Sequence, residues 1–472
     1  MSNHTSIIGS GPNGLAAAIA MAQAGYAVDV FEAEQILGGA SRTLELTLPG
    51  FRHDFGSAVH PMAAGSPFFR SLPLAGHGLR WVHGLSALAH PLDDGTAVVL
   101  EQDLNESARL LGEDGPAWRR MTEPLARNWD AFAKEILGPL PLLPRHPLLL
   151  AGFGMRALLP STILARSSFR SERTRALFAG MAAHSFLSLD APLSSAIGIV
   201  LAASTHAVGW PVPAGGAQAI PDALAGYLRS LGGAITTGKR IASLDDLPAS
   251  GSDLTFFDTA PRQLASIAGS RLPASFRQRL QRFQPGPGVF KIDYALSEPI
   301  PWTAADCRRA ICLHLGGSFA DIARSEDAMA RGRISDRPFM ILAQPSLFDP
   351  LRAPEGKHVV WVYCHVPNGC TVDRTEAIER QIERFAPGFR DCVLARHVST
   401  PADLEAADAN LIGGDISGGA MSVAQTFLRP TWKQYATPDP SLYLCSSSTP
   451  PGGGVHGMCG YRAAELALRR RR

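Results

Sequence analysis

The sequence has little charge, few cysteines and no long uninterrupted apolar run. Charged residues make up 18% of its 472 residues and the formal net charge is +2. The chain therefore lacks the basic balance of a nucleic-acid-binding protein. None of its seven cysteines forms a CxxC pair, which argues against the common zinc and thioredoxin-like patterns. No run of about 20 uncharged apolar residues occurs, so no membrane-spanning helix is expected.

The termini and cysteines bear on location and redox chemistry. The first residues, Met1–His4, are polar and lead into an apolar strand with a glycine turn, which is unlike a secretory signal peptide. Cys307 and Cys312 have the C-x4-C spacing of some flavin disulfide reductases, but they lie mid-chain rather than near the first Gly-rich loop. We therefore interpret them as ordinary reduced thiols and expect a cytoplasmic location.

The N-terminal stretch carries the most specific motif. Ser6–Ile8 predicts a short strand, and the next residues, Gly9 to Gly14, give G-x-G-x-x-G. An Ala-rich helix should follow up to Gly25, and Tyr26–Phe31 predicts a second strand. Glu32 ends that strand eighteen residues after Gly14. Strand, glycine turn, helix, strand and acidic residue together predict a dinucleotide site.

Each residue type in this motif has a physical task. Gly9 permits a sharp turn, Gly11 lets the backbone approach a pyrophosphate, and Gly14 lets the helix pack closely on the strand. The helix N-terminus offers free N–H groups to the phosphates. Glu32 can accept hydrogen bonds from ribose hydroxyls and would repel a 2′-phosphate, so NADP is disfavoured.

A second glycine pair indicates which dinucleotide is bound. Gly38 and Gly39 follow Glu32 closely, with Ser41 and Arg42 directly after them. Backbone contact at these glycines and the charge of Arg42 suit a flavin pyrophosphate, whereas NAD dehydrogenases need no such extension. The motif therefore predicts FAD.

Three separated stretches resemble one family. These stretches, residues 6–56, 209–261 and 441–458, are similar to the FAD-dependent phytoene desaturase-like (carotenoid) oxidoreductases. That group includes carotenoid isomerases and retinol saturases and is related to the flavin amine oxidases. Within it, the chain looks most like a bacterial branch akin to the vertebrate pyridine nucleotide-disulfide oxidoreductase domain-containing proteins.

The resemblance implies an α/β fold with a Rossmann-like FAD-binding domain and a mixed-sheet substrate domain that has a helical insert. Ser447 stands where relatives often have an acidic residue, and Val455–Met458 should begin a helix whose dipole stabilises reduced flavin. Beyond Gly9, Gly11, Gly14, Glu32, Gly38, Gly39, Ser41 and Arg42, the resemblance implies these cofactor-binding residues: Pro12, Asn13, Ala33, Ile241, Thr259, Ser446, Ser447, Gly454, Val455, His456, Gly457 and Met458.

The same alignment of motifs predicts a discontinuous organisation. Residues 1–75, 205–270 and 425–472 should form the FAD domain. Residues 76–204 should form a helical, apolar insert of the substrate domain. Residues 271–424 should form its mixed sheet, with strands at Val289–Tyr294 and His358–Tyr363.

The segment 137–165 is apolar but is broken by prolines and by basic residues. It predicts either a buried helical insert or an apolar mouth that dips into a membrane to collect a lipophilic substrate. Residues 152–157 fit G-x-G-x-x-A, but no strand precedes them, so we interpret them as a loop.

The resemblance implies dehydrogenation (desaturation) of an apolar, elongated substrate by hydride transfer to flavin N5. Because the sequence shows no second complete nucleotide-binding pattern, we expect the electrons to leave to oxygen, a quinone or another acceptor. A redox-neutral double-bond isomerase using reduced FAD and a non-catalytic binding protein on the same fold are the alternatives. His60 and His456 are candidate catalytic residues, and the alternative for each is a ring bonded only to backbone. Asp415 and Arg429 are candidate supporting residues, His184 is expected to be structural, and no metal site is predicted.

Overall fold

The computed structural model describes residues 3–139, 143–248 and 253–471. The strands in these residues are β1 His4–Ile8, β2 Ala27–Phe31, β3 Thr43–Leu44, β4 His53–Asp54, β5 Trp81–Val82, β6 Ser86–Pro91, β7 Ala97–Leu100, β8 Val212–Pro213, β9 Ala234–Thr236, β10 Leu254–Phe257, β11 Gly288–Leu296, β12 Ala310–Leu315, β13 Met340–Ala343, β14 His358–Val366, β15 Val393–Ser399 and β16 Leu442–Leu444. The helices are α1 Pro12–Gln23, α2 Pro61–Ala64, α3 Pro67–Arg70, α4 Leu104–Leu110, α5 Gly115–Arg127, α6 Trp129–Ile136, α7 Pro147–Ala157, α8 Ser161–Ser168, α9 Glu172–Ala183, α10 Ser194–Val208, α11 Ala219–Ser230, α12 Pro261–Ala268, α13 Ala274–Gln281, α14 Phe319–Ala330, α15 Thr375–Glu383, α16 Pro401–Ala407, α17 Val423–Leu428 and α18 Met458–Arg471.

A parallel five-stranded sheet in the order β16-β10-β1-β2-β9 forms one layer. Its strands come from the beginning, the middle and the end of the chain, and β1 lies at the centre, where Ile7 pairs with Val30 on one side and Phe256 on the other. Strands β1, β10 and β16 are almost entirely buried, as expected for strands of a parallel sheet covered on both faces. The arrangement is the Rossmann-like α/β fold that the first motif predicts.

Small residues let two helices approach closely on this sheet. Helix α1 is rich in alanine and is buried from Asn13 to Met21. Gly460 of α18 lies against it so tightly that a Cβ at this position would stand 1.7 Å from the Asn13 carbonyl oxygen. The beginning and the end of the chain are therefore joined directly beneath the glycine turn.

A seven-stranded mixed sheet in the order β15-β11-β14-β13-β12-β6-β7 forms the second layer. Neighbours pair antiparallel except β12 and β6, which are parallel. The predicted strand runs lie in β11 and β14, which pair along their full length. The region 76–204 also contributes the β6–β7 hairpin, which turns at Asp94 and Gly95. The prediction of a helical insert did not include this hairpin. The helical part continues to Val208, because α10 crosses position 204 without a break.

A buried ion-pair network joins the two sheets. Arg352 contacts Asp54 at 2.8 Å and Asp349 at 3.0 Å, and all three side chains are almost completely buried. Asp54 also accepts a hydrogen bond from the Ala217 N–H at 2.8 Å. The Trp361 indole N–H on β14 donates to the Gly56 carbonyl at 2.9 Å. These contacts hold the segment after β4 between the five-stranded parallel sheet and the seven-stranded mixed sheet.

Residues 152–157 lie inside helix α7, so the prediction of a loop there was wrong. Pro147 occupies the first turn of the helix, where proline is well tolerated, and the residues between the glycines favour a helix. A Cβ on Gly152 or Gly154 would meet no atom of the described residues within 4 Å. Neither glycine makes the close approach that a phosphate-binding loop requires.

Helices α7 and α8 carry the apolar segment 137–165, of which residues 140–142 lie outside the described residues. Leu148 is 88% exposed and Met155 is 70% exposed on the outer side of α7. No single helix in the described residues is long and apolar enough to cross a membrane. Taken together, α7 and α8 reach that length and composition, but they meet at an angle of 103°.

Candidate functional site

One cavity of about 1040 Å³ runs from the glycine turn after β1 into the space between the two sheets. Polar groups of the parallel sheet line its first part. Apolar side chains from α7, α10, the loop after α10 and the mixed sheet line its second part, among them Phe153, Val200, Trp210 and Ile341. The cavity thus connects a polar cleft at the carboxyl ends of parallel strands with an apolar chamber, and such strand ends are where nucleotides bind in this fold class.

Each of the three glycines in the first motif is required for a different steric reason. Gly9 has φ of +101°, in the left-handed region that favours glycine. A Cβ on Gly11 would lie 2.5 Å from Asp258 Oδ2, and a Cβ on Gly14 would lie 2.2 Å from the Gly9 carbonyl oxygen. Gly14 N–H donates to Asp258 Oδ2 at 2.8 Å. The turn therefore packs directly on the end of β10, and its outer side faces the cavity.

Glu32 is fixed at the end of β2. Its Oε2 accepts hydrogen bonds from the Ser10 N–H at 2.9 Å and from the Ser10 hydroxyl at 2.7 Å. Its Oε1 accepts from the Glu34 N–H at 2.9 Å. The Ser10 hydroxyl in turn accepts from the Gly38 N–H at 3.0 Å. The carboxylate is thereby oriented beside the turn, where it lines the cavity.

The second glycine pair lies over the first turn. A Cβ on Gly39 would be 3.4 Å from the Gly11 Cα. Arg42 donates to the Gly39 carbonyl at 2.8 Å and to the Ala407 carbonyl at 2.9 Å. Its guanidinium also lies 4.8 Å from the centre of the Phe55 ring. These contacts hold the Arg42 side chain in place at the polar cleft, which it lines and to which it presents a positive charge.

Two further carboxyl groups lie beside this turn. Burial, together with the nearby carboxylates of Asp408 and Glu32, raises the pKa of Asp258 to about 7, although the hydrogen bond from the Gly14 N–H opposes the shift. Burial is also the main reason that the pKa of Asp408 is raised. A dinucleotide brings two phosphate charges to this end of the sheet, so a neutral Asp258 reduces the repulsion there.

The C-terminal glycine turn, residues 452–457, presents His456 to the cavity. Its Nδ1 accepts a hydrogen bond from the Met458 N–H at 3.0 Å, while its Nε2 makes no well-formed hydrogen bond with any described residue. Burial lowers the pKa of His456 to about 4, despite contacts with the backbone of Gly452 and Gly453. The ring is therefore neutral at pH 7, and its proton is on Nε2.

The helix after this turn begins at Met458, whereas the resemblance implies a start at Val455. Gly457 has φ of +67°, which lies outside the right-handed helical region and delays the helix. Val455 and His456 remain in the turn and line the cavity. Gly457 packs against Phe69 instead, since a Cβ there would be 2.3 Å from that ring.

His60 lines the cavity from the segment that precedes α2. Both ring nitrogens are buried and make no well-formed hydrogen bond among the described residues, although the Ser57 backbone is in weak contact. Burial lowers the pKa of His60 to about 4, against the opposing attraction of Asp54. The ring is 6.5 Å from Trp81, centre to centre. His60 is thus a second neutral imidazole whose polar atoms lack an internal partner.

Asp415 and Arg429 organise the glycine turns instead of lining the cavity. Asp415 accepts from the N–H groups of Gly286, Ser417 and Gly419, each at 2.7 Å. Arg429 is 1% exposed and donates to the Gly418 carbonyl at 2.7 Å and the Ser447 carbonyl at 3.1 Å. These bonds clamp the 413–419 segment onto the C-terminal turn.

Most residues implied by the motifs lie on one cavity. Four of them support it from behind, since Gly14, Gly38, Gly457 and Met458 make packing or backbone contacts instead. The residues that line the cavity are Gly9, Gly11, Pro12, Asn13, Glu32, Ala33, Gly39, Ser41, Arg42, His60, Ile241, Thr259, Ser446, Ser447, Gly454, Val455 and His456.

Sequence reasoning missed several lining residues. Asp258 could have been found, because it directly follows β10, at the carboxyl end of a parallel strand. Asp408 and Asn410 come from a loop after α16 and carry no local signal. Asn410 reaches the same strand end by accepting the Ala260 N–H at 2.7 Å. His184, expected to be structural, also lines the cavity, as do Trp210, Trp361 and Tyr363.

Cys307 and Cys312 do not form a redox pair in the structure. Both are free thiols, and they pack in different apolar clusters. Burial raises the pKa of Cys307 to about 12 and raises the pKa of Cys312 as well. Thiols of this kind are poor nucleophiles.

The polar cleft fits a bound dinucleotide. Asn13 Oδ1, Thr259 Oγ1 and His456 Nε2 are buried, line the cavity and find no hydrogen-bond partner among the described residues. Buried polar atoms normally have a partner, so these atoms indicate a ligand. In the residues that the structure describes, no group of three or more His, Cys, Asp or Glu is placed to hold a metal ion.

Comparisons with known proteins agree with this geometry. Residues 7–72 match the model of an NAD(P)-binding Rossmann-like domain. The chain is 28% identical to rat (Rattus norvegicus) pyridine nucleotide-disulfide oxidoreductase domain-containing protein 2, over 98% of this chain and 93% of that protein. It is 27% identical to phytoene dehydrogenase from Streptomyces griseus, over 96% of this chain and 92% of that enzyme.

A solved structure of a putrescine oxidase variant shares the fold. Its TM-score is 0.62 at 15% identity, and the match covers 99% of this chain and 99% of that chain. The chain therefore has a Rossmann-like α/β fold of the kind found in flavin amine oxidases, and it has homologues among FAD- and NAD(P)-binding oxidoreductases.

Proposed function

We propose that this chain is an FAD-dependent oxidoreductase that dehydrogenates an apolar, elongated substrate, as the phytoene desaturase-like enzymes do. The observation that carries this proposal is the continuous cavity that joins the glycine turn after β1 to an apolar chamber. Within that group we assign it to the branch of the rat relative, which matches it over most of both chains.

FAD, when bound, supplies a two-electron hydride acceptor. The turn from Gly9 to Gly14 and the N-terminus of α1 would hold its pyrophosphate, and Glu32 would hold its adenosine ribose. Ile241 and three residues of α12, Gln263, Ser266 and Ile267, also line the cavity, and an adenine would lie against them. Because Glu32 is a carboxylate, a 2′-phosphorylated nucleotide is disfavoured.

The apolar chamber would orient the substrate and exclude water. Its walls are formed by α7, α10, the turn after α9 and the inner face of the mixed sheet. Removing water from a hydride-transfer site protects the reduced cofactor and strengthens the few polar contacts inside. The chamber has the apolar lining that a hydrocarbon-like substrate requires.

His60 and His456 would act as hydrogen-bonding residues at the junction of the two parts. Since burial lowers both pKa values to about 4, both rings are neutral near pH 7. A neutral ring can donate from one nitrogen and accept at the other. Their proposed role is to orient the cofactor or the substrate, and general acid catalysis by an imidazolium is not part of it.

A second complete dinucleotide pattern is not seen in the sequence, and the G-x-G-x-x-A stretch lies in a helix. We therefore propose oxygen or a quinone as the electron acceptor. No nucleic-acid partner is proposed, since the net charge is +2.

Helices α7 and α8 would bring the enzyme to a membrane surface from the cytoplasmic side. Leu148 and Met155 face outward, whereas Leu150 and Phe153 of the same helix line the cavity. Helix α17 has the same two-sided character, since Phe427 is 43% exposed and also lines the cavity. An apolar exterior continuous with an apolar chamber would let a lipophilic substrate enter without crossing water.

The visible spectrum of the purified protein tests the proposal. We expect a flavin spectrum that is bleached by anaerobic dithionite and returns in air. Glu32→Ala should lower the bound FAD, and Asp29→Asn on the same strand, whose side chain contacts His4 at 2.9 Å, should not. A colourless protein that takes up no added FAD would overturn the proposal.

A further inference from the structure

The mixed sheet carries a row of three neighbouring side chains beside the apolar chamber, and two of the three are polar. His314 on β12 is paired with Ile341 on β13, and Ile341 is paired with Tyr363 on β14, so the three lie side by side on one face of the mixed sheet. Ile341 and Tyr363 line the cavity, as do His184 and Phe186 from the turn after α9. The remaining chamber walls are mostly apolar, so this row is where a polar group of a ligand would be recognised.

His184 and His314 form a hydrogen-bonded pair. Their Nε2 atoms are 2.9 Å apart, so one ring donates and the other accepts. His184 is half-buried and faces the cavity. Its Nδ1 makes no hydrogen bond with a described residue, which leaves this atom for a ligand. Depending on which ring donates, Nδ1 of His184 is either an acceptor or a donor.

The surrounding packing fixes this pair. A Cβ on Gly180 of α9 would be 2.6 Å from His314 Nδ1, so only a glycine leaves room for the ring. The Trp210 ring stands edge-on to His184, with ring centres 5.9 Å apart. Two rings held this closely have little freedom to turn away from a ligand.

The turn that carries His184 is strained. Phe186 has φ of +57°, a left-handed conformation that is rare for a bulky residue. Its ring packs on His365 at 4.2 Å between centres. Backbone strain of this kind persists where the surrounding structure enforces it, and it concentrates at ligand sites.

Tyr363 supplies the second polar group. Its ring is buried against Trp361 and His365, with ring centres 4.9 Å and 5.7 Å away. Its hydroxyl has no hydrogen-bond partner within the described part of the chain. A buried tyrosine hydroxyl usually finds a partner, and here the cavity is the open side.

The charged side chains near this row are already paired with one another. His365 Nδ1 is 2.7 Å from Glu326 Oε2. The Lys291 ammonium, on the strand next to Tyr363, is in contact with Asp293. The row therefore presents neutral donors and acceptors to the chamber and offers no free charge to a ligand.

We propose that His184 and Tyr363, which line the apolar chamber, bind a neutral oxygen group of the substrate, a hydroxyl or a carbonyl. The substrate class is then an elongated apolar molecule with one oxygen function, in preference to a plain hydrocarbon or an alkylammonium ion. Burial lowers the pKa of His184 to about 3, so this ring is neutral and does not attract a carboxylate. The inference deepens the proposed function and rests on it.

Binding of matched probes tests the inference. Octan-1-ol, nonane and octylamine have similar length, and their binding can be followed by the fluorescence of Trp210 and Trp361, which line the chamber. We expect octan-1-ol to bind at least about fivefold more tightly than the other two. Tyr363→Phe and His184→Phe should each weaken octan-1-ol binding about five- to tenfold and, because each keeps an aromatic ring in the chamber wall, change nonane binding little.

Tyr294→Phe is the matched control, because its hydroxyl lies on the other face of the same sheet, 3.5 Å from Glu379. It should leave all three affinities unchanged. Equal affinities for alcohol and hydrocarbon, absence of binding, or insensitivity to Tyr363→Phe would each overturn the inference. The flavin absorbance of the same samples reports separately on the proposed function, which fails only if FAD is not bound.

Discussion

Asp258→Asn probes the carboxyl group that the glycine turn buries. Asn can still accept the hydrogen bond that the Gly14 N–H donates at 2.8 Å, so the local geometry should be kept. The substitution removes only the ability to ionise. It therefore separates the charge of this group from its packing.

The magnitude follows from the raised pKa of Asp258, which moves from 3.8 to about 7 in the folded protein. Between about pH 4 and pH 7, the folded protein keeps this proton and the unfolded chain has lost it. The free energy of unfolding therefore falls as pH rises through this window, by about 1.4 kcal/mol per pH unit and about 4 kcal/mol in all. Below pH 4 the contribution is fully present, and above about pH 7 it stays lost.

Urea denaturation of the apo protein at several pH values measures this effect. The stability of the wild type relative to Asp258→Asn should decline from pH 4 to pH 7, and then the two profiles should run parallel. Asp222→Asn, at an exposed position of α11 where the carboxylate accepts a hydrogen bond from the Gln218 amide, is the control and should follow the wild type. Parallel profiles for wild type and Asp258→Asn across the whole range would show that the carboxyl ionises freely and would refute the reasoning.

Three other predictions follow from the same contacts. Gly460→Ala forces a Cβ to 1.7 Å from the Asn13 carbonyl oxygen and should destabilise the protein by several kcal/mol in urea, whereas Gly152→Ala, open within 4 Å on α7, should stabilise it by about 0.5–1 kcal/mol. Equal effects of the two would contradict the close packing of α1 and α18. Glu32→Gln should disorder the turn, because a neutral side chain binds the Ser10 N–H and hydroxyl less well, and faster amide hydrogen exchange at Ser10 would report it. Burial lowers the pKa of His456 to about 4, so its contribution to the free energy of unfolding is present above about pH 6.5 and is lost as pH falls to 4. His456→Gln should therefore flatten the dependence of stability on pH between about 4 and 6.5. An unchanged slope would argue against burial of a neutral ring.

The first motif shows how far local pattern can lead. Each of its features acts on near neighbours in sequence, so the strand, turn, helix and acidic residue could be placed from the letters alone. Gly11 is a glycine because of Asp258, however, which approaches from 244 residues beyond Gly14 and also accepts the Gly14 N–H. The sequence revealed that these positions need glycine but not what fills the space.

The segment 152–157 shows where pattern misleads. The lack of a strand before its glycines suggested a loop, but the residues form a half-buried helix, and a Cβ on either glycine would meet no described atom within 4 Å. The β6–β7 hairpin was overlooked for a related reason, since short strands gain their stability from pairing with distant strands such as β12.

The Rossmann-like part of the fold could be predicted from the sequence, because contiguous motifs with fixed spacing specify it. The apolar chamber became visible only in the folded structure. His184, Trp210 and Tyr363 come from a turn, a loop and a strand that are far apart in the chain, and they meet because two sheets are clamped together around Asp54 and Arg352. Residues that become neighbours only through long-range packing leave no local signal in the sequence, so the chemistry of the chamber had to be taken from the fold.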